Sequence, residues 1–167
     1  MPVLKLARHI NAPREVVFAI AVDASRWAER IDGIERIEML TDGPLAVGSR
    51  FRETRKMFGH EAVEELEVTA FDAPNRFTLK ANSCSALFIS EHEFVPDISG
   101  TLVELTIRTK ATRLAVRLLA PLAWLMMRPM KKCLRADLDA LKRIAETQAA
   151  DEWQIDPAAA IRGYETS

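Results

Sequence analysis

The sequence predicts one α+β domain in which a bent antiparallel sheet of seven strands wraps around a long C-terminal helix. Three observations predict this class. Apolar and polar residues alternate with period two from Gly33 onward. Two short helical patterns follow the first strand, and one long helical pattern runs from Ala111 to about Gln148. The 167 residues suit a single domain, which we place at residues 1–148, followed by a peripheral tail at 149–167.

The first strand and the two short helices occupy the N-terminal part of the chain. Alternation over Val3–Ile10 predicts the strand, and Pro13 ends it. Pro13 also suits the first turn of a helix. The apolar stripe of that helix comprises Val16, Val17, Ile20 and Ala21. Asp23 is a candidate N-cap for the second helix, which carries Trp27. The predicted element order therefore begins β-α-α.

Six further strands are predicted after these helices. Gly, Pro, Asn and Asp cluster at the short turns between them. Because short turns join successive strands, the sheet is predicted to be antiparallel. The predicted strands are Ile34–Leu40, Ser49–Met57, Glu61–Phe71, Arg76–Asn82, Leu87–Val95 and Thr101–Lys110.

The final helix has one apolar and one charged stripe. Pro121 and Pro129 predict a kink or a break in its first half. Its predicted buried stripe comprises Met130, Leu134, Leu138, Leu141 and Ala145. Its predicted solvent stripe comprises Lys131, Arg135, Asp139, Lys142 and Glu146.

The hairpin at Phe58-Gly59 predicts a strand register. In a two-residue turn, position i faces position 117 − i, so Phe51 faces Leu66. The alternate face then forms a ladder of opposite charges that belongs in solvent. Its predicted pairs are Arg50 with Glu67, Arg52 with Glu65, and Lys56 with Glu61.

The same register directs three charged residues toward the inside, which makes them candidate catalytic residues. Glu53 faces Glu64, and these carboxylates repel unless a cation or a shared proton relieves them. Arg55 is the nearest candidate cation. Such a cluster can orient a ligand carbonyl or act as a general acid or base. The alternative is a cluster at the rim of the sheet, where water solvates it.

His92 is the fourth candidate, because Phe88 and Phe94 share its face of the strand. A histidine there acts as a catalyst or as a hydrogen-bonded wall residue. We expect no metal site, since the three histidines lie on different strands without ligand spacing. No motif for a phosphate or a nucleophile is present, so no cofactor is expected.

Charge and cysteine content exclude several classes of protein. A net charge of −1 gives no long-range attraction to nucleic acid. Cys84 and Cys133 are far apart, which is typical of a reducing compartment. The first residues lack the long apolar core of a signal peptide, so we expect a cytoplasmic protein.

The apolar segment Leu118–Met127 has three interpretations. It is too short to span a bilayer, which needs roughly 20 residues. It is also apolar all round, which exceeds what one buried helix face requires. It acts as core and cavity lid, as a homodimer contact, or as a transient membrane contact.

The element order and several short strings resemble a known superfamily. The strings lie within residues 3–147 and comprise Ile10-Asn11-Ala12-Pro13, Val17-Phe18, Trp27, Gly48, Phe51-Arg52-Glu53, Phe71–Phe77 and Gly100-Thr101. They are similar to those of the polyketide cyclase/dehydrase and lipid-transport superfamily, the START-like (SRPBCC) helix-grip fold shared with birch-pollen-allergen-like proteins. The resemblance implies an apolar ligand between the concave sheet and the helix. It implies no shared catalytic motif.

Together these features predict a binding or carrier protein for a small apolar or amphipathic ligand, such as a lipid, isoprenoid, quinone or polyketide. One alternative is a cyclase or dehydratase that uses the inward carboxylates. Another is a protein-interaction module that uses the apolar helix. The expected ligand-binding residues are Phe51, Leu66, Phe77, Leu79, Phe88, His92, Phe94, Leu105 and Leu134.

Overall fold

A computed structural model describes residues 3–57, 59–83, 86–111 and 120–155. These residues form seven strands, three α-helices and a short 3-10 turn at Ala24–Arg26. In chain order the elements are β1 (Val3–Ile10), α1 (Arg14–Val22), α2 (Trp27–Arg30), β2 (Ile34–Met39), β3 (Arg50–Met57), β4 (His60–Asp72), β5 (Arg76–Ser83), β6 (Ala86–Asp97), β7 (Gly100–Ala111) and α3 (Ala120–Ile155). The predicted α+β class and the order of elements are confirmed.

All seven strands belong to one antiparallel sheet. Its spatial order is β1-β7-β6-β5-β4-β3-β2, so β1 and β2 form the two edges. The segment that holds α1 and α2 therefore carries the chain from one edge of the sheet to the other. Strands β2 to β7 pair with their sequence neighbours, as short turns require.

The predicted register of the β3–β4 hairpin is confirmed. Phe51 pairs with Leu66, Glu53 with Glu64, and Arg52 with Glu65. Phe51 is fully buried, whereas the side chains of Arg52 and Glu65 are 39% and 40% exposed. A shift of one residue would bury this row of charges, which explains why the register is unique.

Aromatic side chains from α1 and α2 anchor the helices to the inner face of the sheet, which is the face turned toward α3. The ring of Phe18 makes edge contacts with three sheet phenylalanines, at centroid distances between 5.2 and 6.1 Å. These partners are Phe71, Phe77 and Phe94. Trp27 meets Phe51 in the same way at 5.4 Å. Each buried ring contributes about 1.5–3 kcal/mol through the hydrophobic effect.

The helix α3 is attached to β1 by residues that the sequence placed in solvent. Lys142 Nζ donates to the carbonyl of His9 at 2.9 Å. Glu146 accepts from the backbone N–H of Asn11 at 2.8 Å, and Asp139 pairs with Arg8 at 2.5 Å. Lys142 and Glu146 are therefore half-buried rather than fully in solvent, whereas Asp139 is exposed as predicted. The bent sheet contacts the flanks of the helix as well as its apolar face, and long side chains reach across.

The helix also differs from the sequence prediction in its continuity. It runs unbroken from Ala120 through both prolines and ends at Ile155, beyond the predicted end near Gln148. Pro121 lies in the first turn, where no backbone donor is needed. Pro129 removes one hydrogen bond without ending the helix. No helix among the described residues is long and apolar enough to cross a membrane.

Two predictions concern residues that the structure does not describe, or describes only in the backbone. Cys84 lies outside them, and so do Leu118, Leu119 and every side chain of Leu118–Met127. The lid, homodimer and membrane roles of that segment therefore stay predictions. Asp23 lies within the described part at the N-cap position of the 3-10 turn, but its side chain makes no capping hydrogen bond. Its carboxylate instead accepts from Ser25 and Arg30 at 2.9 and 3.1 Å.

Candidate functional site

The expected ligand-binding residues divide into two groups by burial. Five are buried in the hydrophobic core, namely Phe51, Phe77, Leu79, Phe94 and Leu105. Four are half-buried, namely Leu66, Phe88, His92 and Leu134. Within the buried group, Phe77 and Phe94 pack against Phe18, and Phe51 packs against Trp27. The inner face of the sheet is thus tightly packed near α1 and α2 and only partly covered at Leu66 and Phe88, while Leu134 on α3 is likewise half-buried.

Strand β6 carries three half-buried residues on its inner face, although it is not an edge strand. These residues are Phe88, Ser90 and His92. Their cross-strand neighbours on β5 are Ala81, Leu79 and Phe77, and all three neighbours are buried. The inner face of β6 therefore retains accessible surface among buried neighbours.

His92 is an uncharged imidazole within this face. Its ring stacks on Phe77 with a centroid distance of 4.4 Å and an interplanar angle of 8°. Burial lowers the pKa of His92 to about 4, so the ring is neutral at physiological pH. No hydrogen-bond partner of His92 is present among the described residues. A neutral imidazole has one donor and one acceptor, and both are available to a ligand.

This environment predicts a pH-dependent stability. The folded pKa of His92 is lower than its ordinary value of 6.5, so its protonation favours the unfolded chain as the pH falls from 6.5 toward 4. The free energy of unfolding of the wild type should therefore fall by roughly 2–3 kcal/mol more than that of His92→Phe when the pH is lowered from 7 to 4.5. Urea titrations at both pH values measure this difference. Equal changes in the two proteins would contradict the prediction.

A second polar group, the Arg55 cluster, joins β3 to α3 and comprises Glu53, Arg55, Cys133 and Asp137. Arg55 Nε donates to Glu53 at 2.8 Å, and Nη1 lies 3.0 Å from Asp137 Oδ2. Nη1 also lies 2.7 Å from the Cys133 sulfur. The side chains of Glu53, Arg55 and Asp137 are only 13–20% exposed. The predicted alternative of a water-solvated rim is therefore wrong for Glu53 and Arg55.

The pKa values in the Arg55 cluster are determined by burial and by mutual attraction. Burial raises the pKa of Glu53 and of Asp137, although the Arg55 charge lowers both. Burial also lowers the pKa of Arg55, but its two carboxylates raise it above the usual value. Glu64 faces Glu53 across the strands and adds to the rise of the Glu53 pKa. The cluster thus combines a permanent cation with carboxyl groups that hold protons more tightly than usual.

Sequence reasoning identified Glu53 and Arg55 but missed Cys133 and Asp137. The helical spacing could have identified them, because Cys133 and Asp137 lie beside Leu134 and Leu138 in the apolar stripe. A charged residue within such a stripe requires a buried partner. His92 and Glu64 do not contact Arg55, so the four catalytic candidates do not form one site.

Other features of the described residues offer no alternative centre. Among them, no group of three or more His, Cys, Asp or Glu is arranged to hold a metal ion. Two open hollows lined by described residues lie away from the inner face. One follows α3 beside Lys142, and the other lies on the outer face between Glu65 and Lys80.

Solved structures share this fold. TTHA0849 from Thermus thermophilus is 22% identical, with a TM-score of 0.71 over 89% of this chain and 99% of that protein. Ara h 8.0201 is 13% identical, with a TM-score of 0.72 over 87% of this chain and 98% of that protein. The di-domain ARO/CYC StfQ from the steffimycin biosynthetic pathway is 13% identical, with a TM-score of 0.75 over 89% of this chain.

This chain spans about half of StfQ, since the match covers 51% of that protein. No curated protein matches the chain. A family model described as polyketide cyclase / dehydrase and lipid transport matches residues 1–146. The fold is one that binds hydrophobic ligands. The chain therefore belongs to the polyketide cyclase/dehydrase and lipid transport family.

Proposed function

We propose that the protein binds and carries a small hydrophobic or amphipathic ligand between the inner face of the sheet and α3. Lipids, isoprenoids, quinones and polyketides have the required chemistry. The observation that supports this most is the accessible surface of Phe88, Ser90 and His92 on β6. Direct packing of a helix would bury such residues completely, so their accessibility favours space for a ligand.

The polar groups suit an elongated ligand. Glu53 pairs with Glu64, and extending the β4–β5 register by two residues beyond Leu66–Ala81 brings Glu64 into line with Ser83 and its partner Ala86. His92 lies six residues further along β6, which is roughly 20 Å at the rise of a strand. An apolar stretch around Leu66 and Phe88 separates the two polar positions. Ligand sites of this class are mainly apolar with a few polar groups.

An enzyme of the cyclase or dehydratase type is the second candidate. The raised pKa values of Glu53 and Asp137 favour it, because a protonated carboxyl beside a cation can donate a proton and stabilise an enolate. The carrier remains the first proposal, since Arg55 already binds both carboxylates. Recovery of a bound ligand unchanged after incubation favours the carrier, and recovery of a dehydrated or cyclised product favours the enzyme.

Filling the accessible surface of β6 tests the binding site. We expect Ser90→Phe to weaken binding of the uncharged fluorescent probe N-phenyl-1-naphthylamine by about tenfold or more, because the ring occupies ligand space. The neighbouring substitution Ile89→Phe places the same ring on the outer face and should leave binding unchanged. Circular dichroism verifies that both variants fold. Unchanged affinity in folded Ser90→Phe would place the site elsewhere.

A further inference from the structure

The basic groups on the inner face of the sheet limit the charge that a ligand can carry. Apart from the exposed His60 at the β3–β4 turn, the basic residues that the described part of the chain places on this face are Arg8, Arg55 and His92. Arg8 is paired with Asp139, and Arg55 is held between Glu53 and Asp137. His92 carries no charge near neutral pH, because burial lowers its pKa to about 4. None of the three is therefore an unpaired cation.

Carboxylates outnumber cations at the other polar position. Glu53 and Asp137 bind the guanidinium of Arg55, and Glu64 lies opposite Glu53 on the neighbouring strand. Glu64 is half-buried and has no ion-pair partner among the described residues. An anionic head group here would meet like charge in a poorly hydrated region, and Arg55, the cation that contacts these carboxylates, is already paired. Both effects oppose its entry.

We propose that the site selects a ligand with an uncharged head group that forms hydrogen bonds, such as a hydroxyl or carbonyl, and rejects carboxylate and phosphate head groups. This inference rests on the proposed function. A hydroxyl can accept a hydrogen bond from a guanidinium N–H of Arg55 and donate one to Glu64. His92 offers a neutral donor and acceptor at the opposite position. No net charge then enters the interior.

A series of competitors with one chain length tests this selectivity. 1-Decanol, decanoate and decylammonium displace N-phenyl-1-naphthylamine from the full chain at pH 7.5. We expect 1-decanol to displace the probe at about tenfold or more lower concentration than decanoate. Glu64→Gln should narrow that ratio by about threefold or more, because one repelling carboxylate is lost. Glu65→Gln removes the same charge from the outer face and should leave the ratio unchanged.

The outcomes separate this inference from the proposed function. If decanoate binds as tightly as 1-decanol, the selectivity for an uncharged head group is wrong. Binding of the probe would still support a ligand site in that case. Decylammonium that binds more tightly than 1-decanol would also overturn that selectivity, in favour of a cationic ligand. A wild-type chain that binds no probe would contradict the proposed function itself.

Discussion

Replacement of Arg55 by methionine is expected to destabilise the fold by about 3–5 kcal/mol. Methionine has a similar length, so most of the packing is retained. The loss arises because Glu53 and Asp137 remain shielded from water without their cation. Removing one partner of a buried ion pair lowers stability by more than the intact pair contributes, because an uncompensated charge is left buried. Chemical unfolding monitored by circular dichroism measures the difference.

The pH dependence of the variant distinguishes this cause from lost packing. Burial raises the pKa of both carboxyls in the folded chain, so the folded state binds protons more tightly than the unfolded state. Stability therefore falls as the pH rises from the ordinary pKa of a carboxyl group, which applies to the unfolded chain, to the raised pKa of the folded chain. Arg55 lowers both pKa values, so its removal extends this loss to higher pH. The deficit of Arg55→Met should be small in acid and should grow toward neutral pH.

Arg52→Met is the matched control on the same strand, β3. Arg52 pairs with Glu38 at 2.9 Å, but its side chain is 39% exposed on the outer face. Exposed ion pairs contribute about 0–1 kcal/mol, so the control should lose little. If both variants lost the same stability with the same pH profile, burial of the Arg55 cluster would not be the cause of the loss in Arg55→Met.

Local patterns were sufficient to predict the sheet. The turn at Phe58-Gly59 determined which residues face each other, and the alternation of charge determined which face is buried. Both signals depend on residues close in the sequence, as the confirmed pair Phe51–Leu66 shows. The inward direction of Glu53 and Arg55 followed from the same register.

The contacts of α3 could not be predicted in this way. Asp137 meets Arg55 across 82 positions, and Lys142 meets His9 across 133 positions. Such contacts depend on the angle at which the helix crosses the bent sheet, which no local period encodes. Leu134 and Leu138 indicate the buried face of the helix, but not which strand lies beside each flank. The site at the β3–α3 contact therefore became visible only in the structure.

The Gly100-Thr101 pair, which the sequence identified only as a marker of resemblance, joins β7 to the end of β1. Thr101 is fully buried, and its hydroxyl donates to the carbonyl of Ala12 at 2.9 Å. Gly100 has a φ of 155°, and a Cβ there would lie 2.1 Å from the Ile10 carbonyl oxygen. Backbone atoms cannot yield as a flexible side chain does. The close approach of the two strands therefore requires glycine.

Gly100→Ala is accordingly expected to destabilise the fold by about 2–5 kcal/mol, because the methyl group forces β7 away from Ile10 and stretches the Thr101 hydrogen bond. Gly43→Ala is the matched control. Gly43 also has a positive φ, of 88°, but a Cβ there would meet nothing within 4 Å. Its cost should be limited to backbone strain of about 1 kcal/mol. Thermal unfolding compares the two, and similar losses would show that conformational strain, rather than the contact with Ile10, accounts for the glycine at position 100.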